Sequence, residues 1–230
     1  MAFTASPVHL KGGRHAILLF HGLSSSPQEL MFLARGLHKA GYTVHLPIAP
    51  DYTYGLIDSQ TYYGHKGLHQ EWVQWACNEF DALVGLYAHI SVGGLCVGSV
   101  LALRLASLRS DRIHSLLAMS SILKYDGWGN PWYTRFLPLA KIIPFTRRIG
   151  IREQYPFGLK DERMRNWVQR QMERNGQSTA GAATLRVGHL LEARELIHQT
   201  VPALPKVRCP ALLRRNAKSA ARAGSNCPER

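Results

Sequence analysis

The sequence predicts an α/β protein built on a doubly wound, mostly parallel sheet. Three observations support this prediction. Short apolar runs bounded by turn residues are typical of strands that are buried on both faces. These runs alternate with segments whose apolar residues recur at helical spacing, and such strand–helix–strand repeats favour parallel, right-handed connections. The length of 230 residues suits one domain, because a single core can grow to about 250–300 residues.

Each predicted element has its own local signal. The strands are short apolar runs that end at His-Gly, at Pro or at a Gly-x-Cys-x-Gly segment. The first helix starts at a capping signal, in which Ser26 is the N-cap, Pro27 the first helical residue and Glu29 the capping-box partner. In chain order, the elements are strands at residues 7–10, 16–20, 42–46, 90–95 and 113–119, and helices at residues 27–40, 72–87 and 97–108.

Residues 121–205 break this alternation and predict a helical cap inserted into the core. The segment opens with Gly, Pro and aromatic residues, and 161–175 and 184–199 have the spacing of amphipathic helices. We expect such an insertion to cover the carboxyl ends of the strands, where open parallel sheets bind ligands. The expected division is therefore a core at 1–120, the cap at 121–205, a returning core strand at 206–213 and a basic, disordered tail at 214–230.

The chain is strongly basic, with 28 Lys and Arg residues against 15 Asp and Glu residues and a formal net charge of +13. Taken alone, this charge would suggest a polyanionic partner. The excess is confined to residues 131–174 and 206–230, which carry +6 each, whereas residues 1–130 carry only +1. We therefore do not expect nucleic acid as a partner.

Several other classes are disfavoured by composition. No run approaches the roughly 20 consecutive apolar residues of a membrane span. The four cysteines contain no CxxC pair, so neither a cysteine zinc site nor any other metal or cofactor is expected. The N-terminus lacks a charged leader followed by an apolar stretch, which predicts a cytoplasmic location. The oligomeric state is left open.

The segment Gly94-Leu95-Cys96-Val97-Gly98 lies between a predicted strand and a predicted helix. It matches the G-x-S-x-G nucleophile elbow with cysteine in place of serine, and the glycines suit a sharp turn where side chains would clash. The helix that begins at Val97 directs free N–H groups at Cys96, which favours the thiolate and offers the Val97 N–H to an oxyanion. The alternative, a chance pattern around a small buried cysteine, is weakened by this placement.

Three segments resemble the α/β-hydrolase superfamily, in particular small bacterial carboxylesterases and monoacylglycerol-lipase-like enzymes with a helical cap. They are AILLFHGLSSSPQELMFLARGLHKAGYTVHLPIAP, GGLCVGSVLALRLA and LPKVRCPALL. The resemblance implies the α/β-hydrolase fold and hydrolysis of carboxylic esters through an acyl-enzyme. It makes Cys96 the nucleophile and the N–H groups of Leu23 and Val97 the oxyanion hole. His21 and Gly22 open the oxyanion loop, so we interpret His21 as structural rather than as a base.

Two departures from the family pattern bear on function. A cysteine nucleophile gives a thioester as its acyl-enzyme, so the expected small-molecule substrates are acyl esters or thioesters. After the strand near 208–213, no residue matches the family's acid or histidine, and we expect the family's final strand and helix to be missing. Three explanations stay open: a truncated or frame-shifted hydrolase, a pseudo-enzyme that binds a ligand or polyanion without catalysis, or a base supplied by His189, His198 or a partner chain.

Overall fold

The computed structural model describes residues 5–51, 53, 64–123, 144–152, 177–178, 181–182 and 184–214. The strands are β1 (Val8–Leu10), β2 (His15–Phe20), β3 (Thr43–Leu46), β4 (His89–Leu95), β5 (Ser115–Met119), β6 (Gly150–Arg152), β7 (Gln177–Ser178), β8 (Gly181–Ala182), β9 (Thr184–Arg186) and β10 (Ala211–Arg214). The α-helices are α1 (Met31–Lys39), α2 (Leu68–Asp81), α3 (Val97–Leu108) and α4 (Val187–Thr200). Short 3₁₀ turns occupy Pro27–Leu30, Pro144–Arg148 and Val201–Lys206.

Six strands form the central sheet in the order β1-β3-β2-β4-β5-β10. The β1–β3 pair is antiparallel, and the other four pairs are parallel. Successive residues of β2 face opposite sides of this sheet, as the pleat requires. Leu18 and Phe20 pack into a cluster with α2, α3 and α4, whereas Ile17 and Leu19 pack into a cluster with α1. Helices therefore cover both faces, and the predicted doubly wound, mostly parallel sheet is confirmed.

The start of the first helix differs from the prediction. Pro27–Leu30 form a 3₁₀ turn, α1 begins only at Met31, and the Ser26 side chain makes no capping hydrogen bond. The carboxylate of Glu29 instead accepts the N–H of Gly22 at 2.9 Å. The predicted capping box is therefore wrong, because the buried amide of Gly22 uses the carboxylate that would have closed it.

The bounds of α2 also differ from the prediction of 72–87. The helix begins four residues earlier, directly after Gly67, and ends at Asp81. Val84 and Tyr87 continue the apolar spacing but lie in turns around Gly85, whose φ of 89° ends any regular helix. Spacing alone could not locate this end, because apolar residues recur at the same spacing in the turns that follow the helix, although Val84 is exposed there.

The predicted cap is described only in part. The predicted helix at 161–175 lies outside the described residues, and the one predicted at 184–199 is observed as β9 followed by α4. Ala193, Leu196 and Ile197 of α4 belong to the same hydrophobic cluster as α2 and α3. The returning strand is observed as β10, which pairs with β5, and residues 215–230 of the predicted tail lie outside the described residues. None of the described helices is long and apolar enough to cross a membrane.

Candidate functional site

Strained backbone is concentrated at one edge of the sheet. The described non-glycine residues with positive φ are Ser24, Asp51, Cys96 and Ser120. They follow the carboxyl ends of β2, β3, β4 and β5, which lie side by side. Such conformations cost about 1–3 kcal/mol each and cluster at functional sites. This edge of the sheet is therefore the candidate site.

Cys96 forms the turn between β4 and α3. Its φ of 58° and ψ of −117° place it outside the regions that ordinary residues favour. Its N–H donates to the carbonyl of Met119 at 3.1 Å, which ties the turn to the end of β5. The side chain is half-buried and precedes the first turn of α3, whose free N–H groups and positive dipole end favour a thiolate.

Gly94 and Gly98 allow the backbone on the two sides of this turn to approach closely. A Cβ at Gly94 would overlap the backbone of Gly98, and a Cβ at Gly98 would overlap the carbonyl groups of Phe20 and His21. Backbone cannot move aside as the end of a flexible side chain can. The segment is thus compatible with glycine at both positions, as a nucleophile elbow requires.

We expect Gly98→Ala to lower the free energy of unfolding by about 3 kcal/mol or more, because the methyl group overlaps two backbone carbonyls. Urea denaturation measures this loss. Gly36→Ala is the matched control, since Gly36 lies within α1 with nothing within 4 Å of the added Cβ. Helix propensity predicts that the control gains roughly 0.5–1 kcal/mol. Similar stabilities for the two variants would contradict the packing described for the elbow.

The loop after β2 lies directly against the elbow. A Cβ at Gly22 would stand 3.6 Å from the Cβ of Cys96. In the part of the chain that the structure describes, the N–H groups of Leu23 and Val97 donate to no protein acceptor. Two unused amides therefore flank the cysteine, one from each loop, as an oxyanion-binding arrangement requires.

His21 is buried beneath this loop. Its Nδ1 lies 2.9 Å from the carbonyl of Gly22, which can only accept, so Nδ1 carries the proton. Its Nε2 lies 2.9 Å from the Thr53 hydroxyl and 3.3 Å from the N–H of Ala49. Burial lowers the pKa of His21 to about 4, against the opposing effect of the hydrogen bond to Gly22. The neutral ring thus joins the loops that follow β2 and β3.

The two histidines considered as a base occupy opposite ends of α4. His189 is buried near its start, against the backbone of Gly64, and His198 is exposed near its end. Nine residues of helix separate them by about 13 Å. Burial lowers the pKa of His189 to about 4. These two side chains therefore cannot act at the same point, and only His189 lies beside the loop that follows β3.

A buried ionic cluster, which sequence reasoning missed, joins α2 to α4. Glu192 of α4 is 1% exposed. Its Oε2 accepts Nδ1–H of His69 at 2.6 Å and the N–H of Gly67 at 3.1 Å, and its Oε1 accepts from Arg147 at 2.7 Å. Gln199 donates to the other ring nitrogen of His69 at 2.9 Å. This cluster ties the start of α2 and the 3₁₀ turn at 144–148 to α4.

The buried histidines predict acid sensitivity. Burial lowers the folded pKa values of His21 and His189 to about 4, below the ordinary histidine value of about 6.5. The unfolded chain therefore binds more protons between these values, so stability is complete above pH 6.5 and falls as the pH drops toward 4. At pH 5, each histidine lowers the free energy of unfolding by about 2 kcal/mol relative to its value at neutral pH.

Urea denaturation at pH 7.5 and pH 5 measures this dependence. We expect His189→Gln to reduce the acid-induced loss, because the unfolded chain then gains one proton fewer. His198→Gln on the same helix is the control, and its exposed side chain predicts an unchanged loss. Equal acid dependence in the wild type and in His189→Gln would contradict the prediction.

Known proteins share this fold. No family model matches the chain. A carboxylesterase from Bacillus subtilis (strain 168) is 32% identical over 111 residues, which cover 44% of this chain and 40% of that protein. The chain thus spans about two-fifths of the length of this curated relative.

Two solved structures extend the likeness over most of the chain. A monoacylglycerol lipase from Paleococcus ferrophilus has a TM-score of 0.66 at 17% identity, covering 92% of this chain and 77% of that one. A structure of the metagenome-derived lipolytic enzymes LipS and LipT has a TM-score of 0.65 at 20% identity, covering 91% and 74%. At these identities the likeness shows the fold, and it agrees with the fold expected from the sequence.

Proposed function

We propose that this chain, an α/β-hydrolase by its fold, hydrolyses small acyl esters or thioesters through an acyl-enzyme on Cys96. The observation that carries the proposal is the geometry of Cys96. The residue stands on a strained turn between a strand and a helix, beside the N–H groups of Leu23 and Val97, which have no protein acceptor among the described residues. This is the arrangement that covalent acyl transfer uses, since the nucleophile and the oxyanion donors converge on one carbonyl group.

The reaction proceeds in two halves. The Cys96 thiolate attacks the carbonyl carbon, and the negative charge moves to the carbonyl oxygen, where the N–H groups of Leu23 and Val97 stabilise it. The C–O or C–S bond to the leaving group then breaks, and the leaving group takes up a proton. In the second half, water attacks the carbonyl carbon of the thioester, the C–S bond breaks, and the carboxylic acid leaves. Cys96 is regenerated as a thiolate, and the remaining proton of the water passes to solvent.

Leaving-group chemistry narrows the substrate class. His21 uses its ring nitrogens on neighbouring loops, so the proposal gives it no part in proton transfer. A thiol is the side-chain nucleophile that depends least on an added base, because a few per cent is thiolate at pH 7. A leaving group that departs as an anion needs no proton donor in the transition state. Thioesters and aryl esters are therefore the preferred substrates, ahead of alkyl esters.

The direct test is to detect the acyl-enzyme. The wild-type chain is mixed with p-nitrophenyl butyrate or a butyryl thioester and quenched in acid, and its intact mass and peptide map are measured. We expect a mass increase of one butyryl group, carried by the peptide that contains Cys96. Turnover without this adduct, or an adduct on another residue, would contradict the proposal. Ethyl butyrate is the matched alkyl ester and should react more slowly than either substrate.

A further inference from the structure

Glu29 lies closer to the elbow than its place before a helix would suggest. Its Oε2 accepts the N–H of Gly22 at 2.9 Å. The position that a Cβ would take at Gly22 is 3.2 Å from this Oε2, 3.5 Å from Oε1 and 3.6 Å from the Cβ of Cys96. The carboxylate of Glu29 and the Cβ of Cys96 therefore both lie within 4 Å of the position that a Cβ would take at Gly22.

The peptide groups of Gly22 are held on both sides. Its carbonyl accepts from Nδ1 of His21 at 2.9 Å and from the N–H of Ser25 at 3.2 Å, while its N–H goes to Glu29. Ser24, between these partners, has a φ of 54°, which a residue with a side chain adopts only when its surroundings impose it. The next amide along the chain, that of Leu23, is left without a protein acceptor in the described structure.

We infer that Glu29 is a positioning residue of the oxyanion hole. By accepting the Gly22 N–H, it fixes the turn that presents the N–H of Leu23 to the carbonyl oxygen of a substrate on Cys96. This inference rests on the proposed function of that site. It also accounts for the missing reciprocal bond of the capping box, since the carboxylate accepts from the loop and not from the N–H of Ser26.

The environment of the carboxyl group agrees with this role. Burial raises the pKa of Glu29, while the hydrogen bond from the N–H of Gly22 opposes this rise. A carboxyl group retains an acceptor oxygen in either protonation state, so the bond to Gly22 can persist when the group is neutral. Glutamine offers the same acceptor at nearly the same length, whereas alanine offers none. Glu29→Gln and Glu29→Ala therefore separate the acceptor from the charge.

Three variants test the inference. We expect Glu29→Ala to lower kcat for p-nitrophenyl butyrate by about 10- to 100-fold with little change in KM, because a misplaced donor weakens mainly the transition state. Glu29→Gln should stay within about threefold of the wild type. Gln28→Ala, at the exposed neighbouring position, is the control and should keep the wild-type kcat.

Two further measurements separate this role from a loss of structure. Alkylation of Cys96 by iodoacetamide needs no oxyanion hole, so its rate should be the same in Glu29→Ala and in the wild type. A fall in both alkylation and hydrolysis would overturn the inference in favour of a general structural role. A wild-type kcat in Glu29→Ala would overturn it as well.

Hydrogen exchange at the Gly22 amide distinguishes failure of the inference from failure of the proposed function. By NMR, we expect this amide to be protected in the wild type and in Glu29→Gln, and to exchange faster in Glu29→Ala. If the wild type shows no turnover but this pattern holds, the proposed function fails and the loop-positioning role of Glu29 stands. If the amide exchanges equally fast in all three proteins, Glu29 does not hold the loop and the inference fails.

Discussion

Replacing Cys96 by alanine is expected to lower kcat/KM for p-nitrophenyl butyrate by about 10³-fold or more. The substitution removes the sulfur that forms the acyl-enzyme and leaves the N–H groups of Leu23 and Val97 in place. Because the elbow holds residue 96 at a φ of 58°, alanine carries the same backbone strain as cysteine there. The free energy of unfolding should therefore change little. The loss of rate would then reflect the missing nucleophile and not a loss of structure.

The matched control is Cys209→Ala, which also removes one thiol that is half-buried and not in a disulfide. Burial raises the pKa of the Cys209 thiol, so less of it is thiolate at neutral pH and it is a poorer nucleophile. This variant should hydrolyse the ester at the wild-type rate. Wild-type activity in Cys96→Ala would remove Cys96 from the mechanism, and an equal loss of activity in Cys209→Ala would show that the effect of removing a thiol is not specific to the elbow.

Serine at position 96 tests how the nucleophile is activated. A hydroxyl group needs a neighbouring base far more than a thiol does. If Cys96 relies on its own thiolate and on the N-terminus of α3, Cys96→Ser should be nearly as slow as Cys96→Ala. A serine variant as fast as the wild type would show that a base acts at this position and would contradict activation by the helix alone.

The elbow could be predicted from sequence because its requirements are local. Gly94 and Gly98 flank the cysteine at fixed spacing, and the apolar run before them and the helical spacing after them locate a strand and a helix. The alternating faces of β2 likewise follow from a pleat with a period of two residues. Signals of this kind depend only on neighbours in the chain, so they can be recognised without knowledge of the fold.

The partners of Glu29 and Glu192 could not be predicted in the same way. The spacing from Ser26 to Glu29 fits a capping box equally well, and only the folded loop decides that Gly22 takes the carboxylate. His69 and Glu192 are 123 positions apart, so no spacing relates them. The positive φ of Ser24 could not be predicted either. Serine has no special preference for this conformation, which tertiary contacts impose.

Replacing Glu192 by alanine is expected to lower the free energy of unfolding by about 3–5 kcal/mol, the cost of breaking a buried ion pair. The Glu192 side chain is 1% exposed and that of Arg147 is 13% exposed, so the guanidinium would stay largely buried without its partner. The ring N–H of His69 and the amide of Gly67 would lose their acceptor as well. Urea denaturation of the full chain measures the change.

Asp81→Ala is the contrasting control. The ion pair of Asp81 with Arg109 has a similar length of 2.8 Å, but its side chains are 39% and 33% exposed. Water and salt screen such a pair, and its loss should cost no more than about 1 kcal/mol. Equal losses in Asp81→Ala and Glu192→Ala would show that burial does not set the strength of the Glu192 cluster.

The arrangement around Glu192 also predicts an asymmetry between the partners of that cluster. Arg147→Met removes the donor to the Glu192 carboxylate and to the carbonyl of Gly64, but the carboxylate keeps His69 and the amide of Gly67, so this variant should cost less than Glu192→Ala. Adding Glu192→Leu to Arg147→Met removes both charges and leaves only neutral groups unpaired, namely the N–H groups of His69 and Gly67 and the carbonyl of Gly64. The double variant should therefore be more stable than Glu192→Ala alone, because an unpaired buried charge costs more than unpaired neutral groups. A double variant less stable than Glu192→Ala would mean that the hydrogen bonds of the neutral groups, and not the charge of Arg147, contribute most of the cluster's share of the free energy of unfolding.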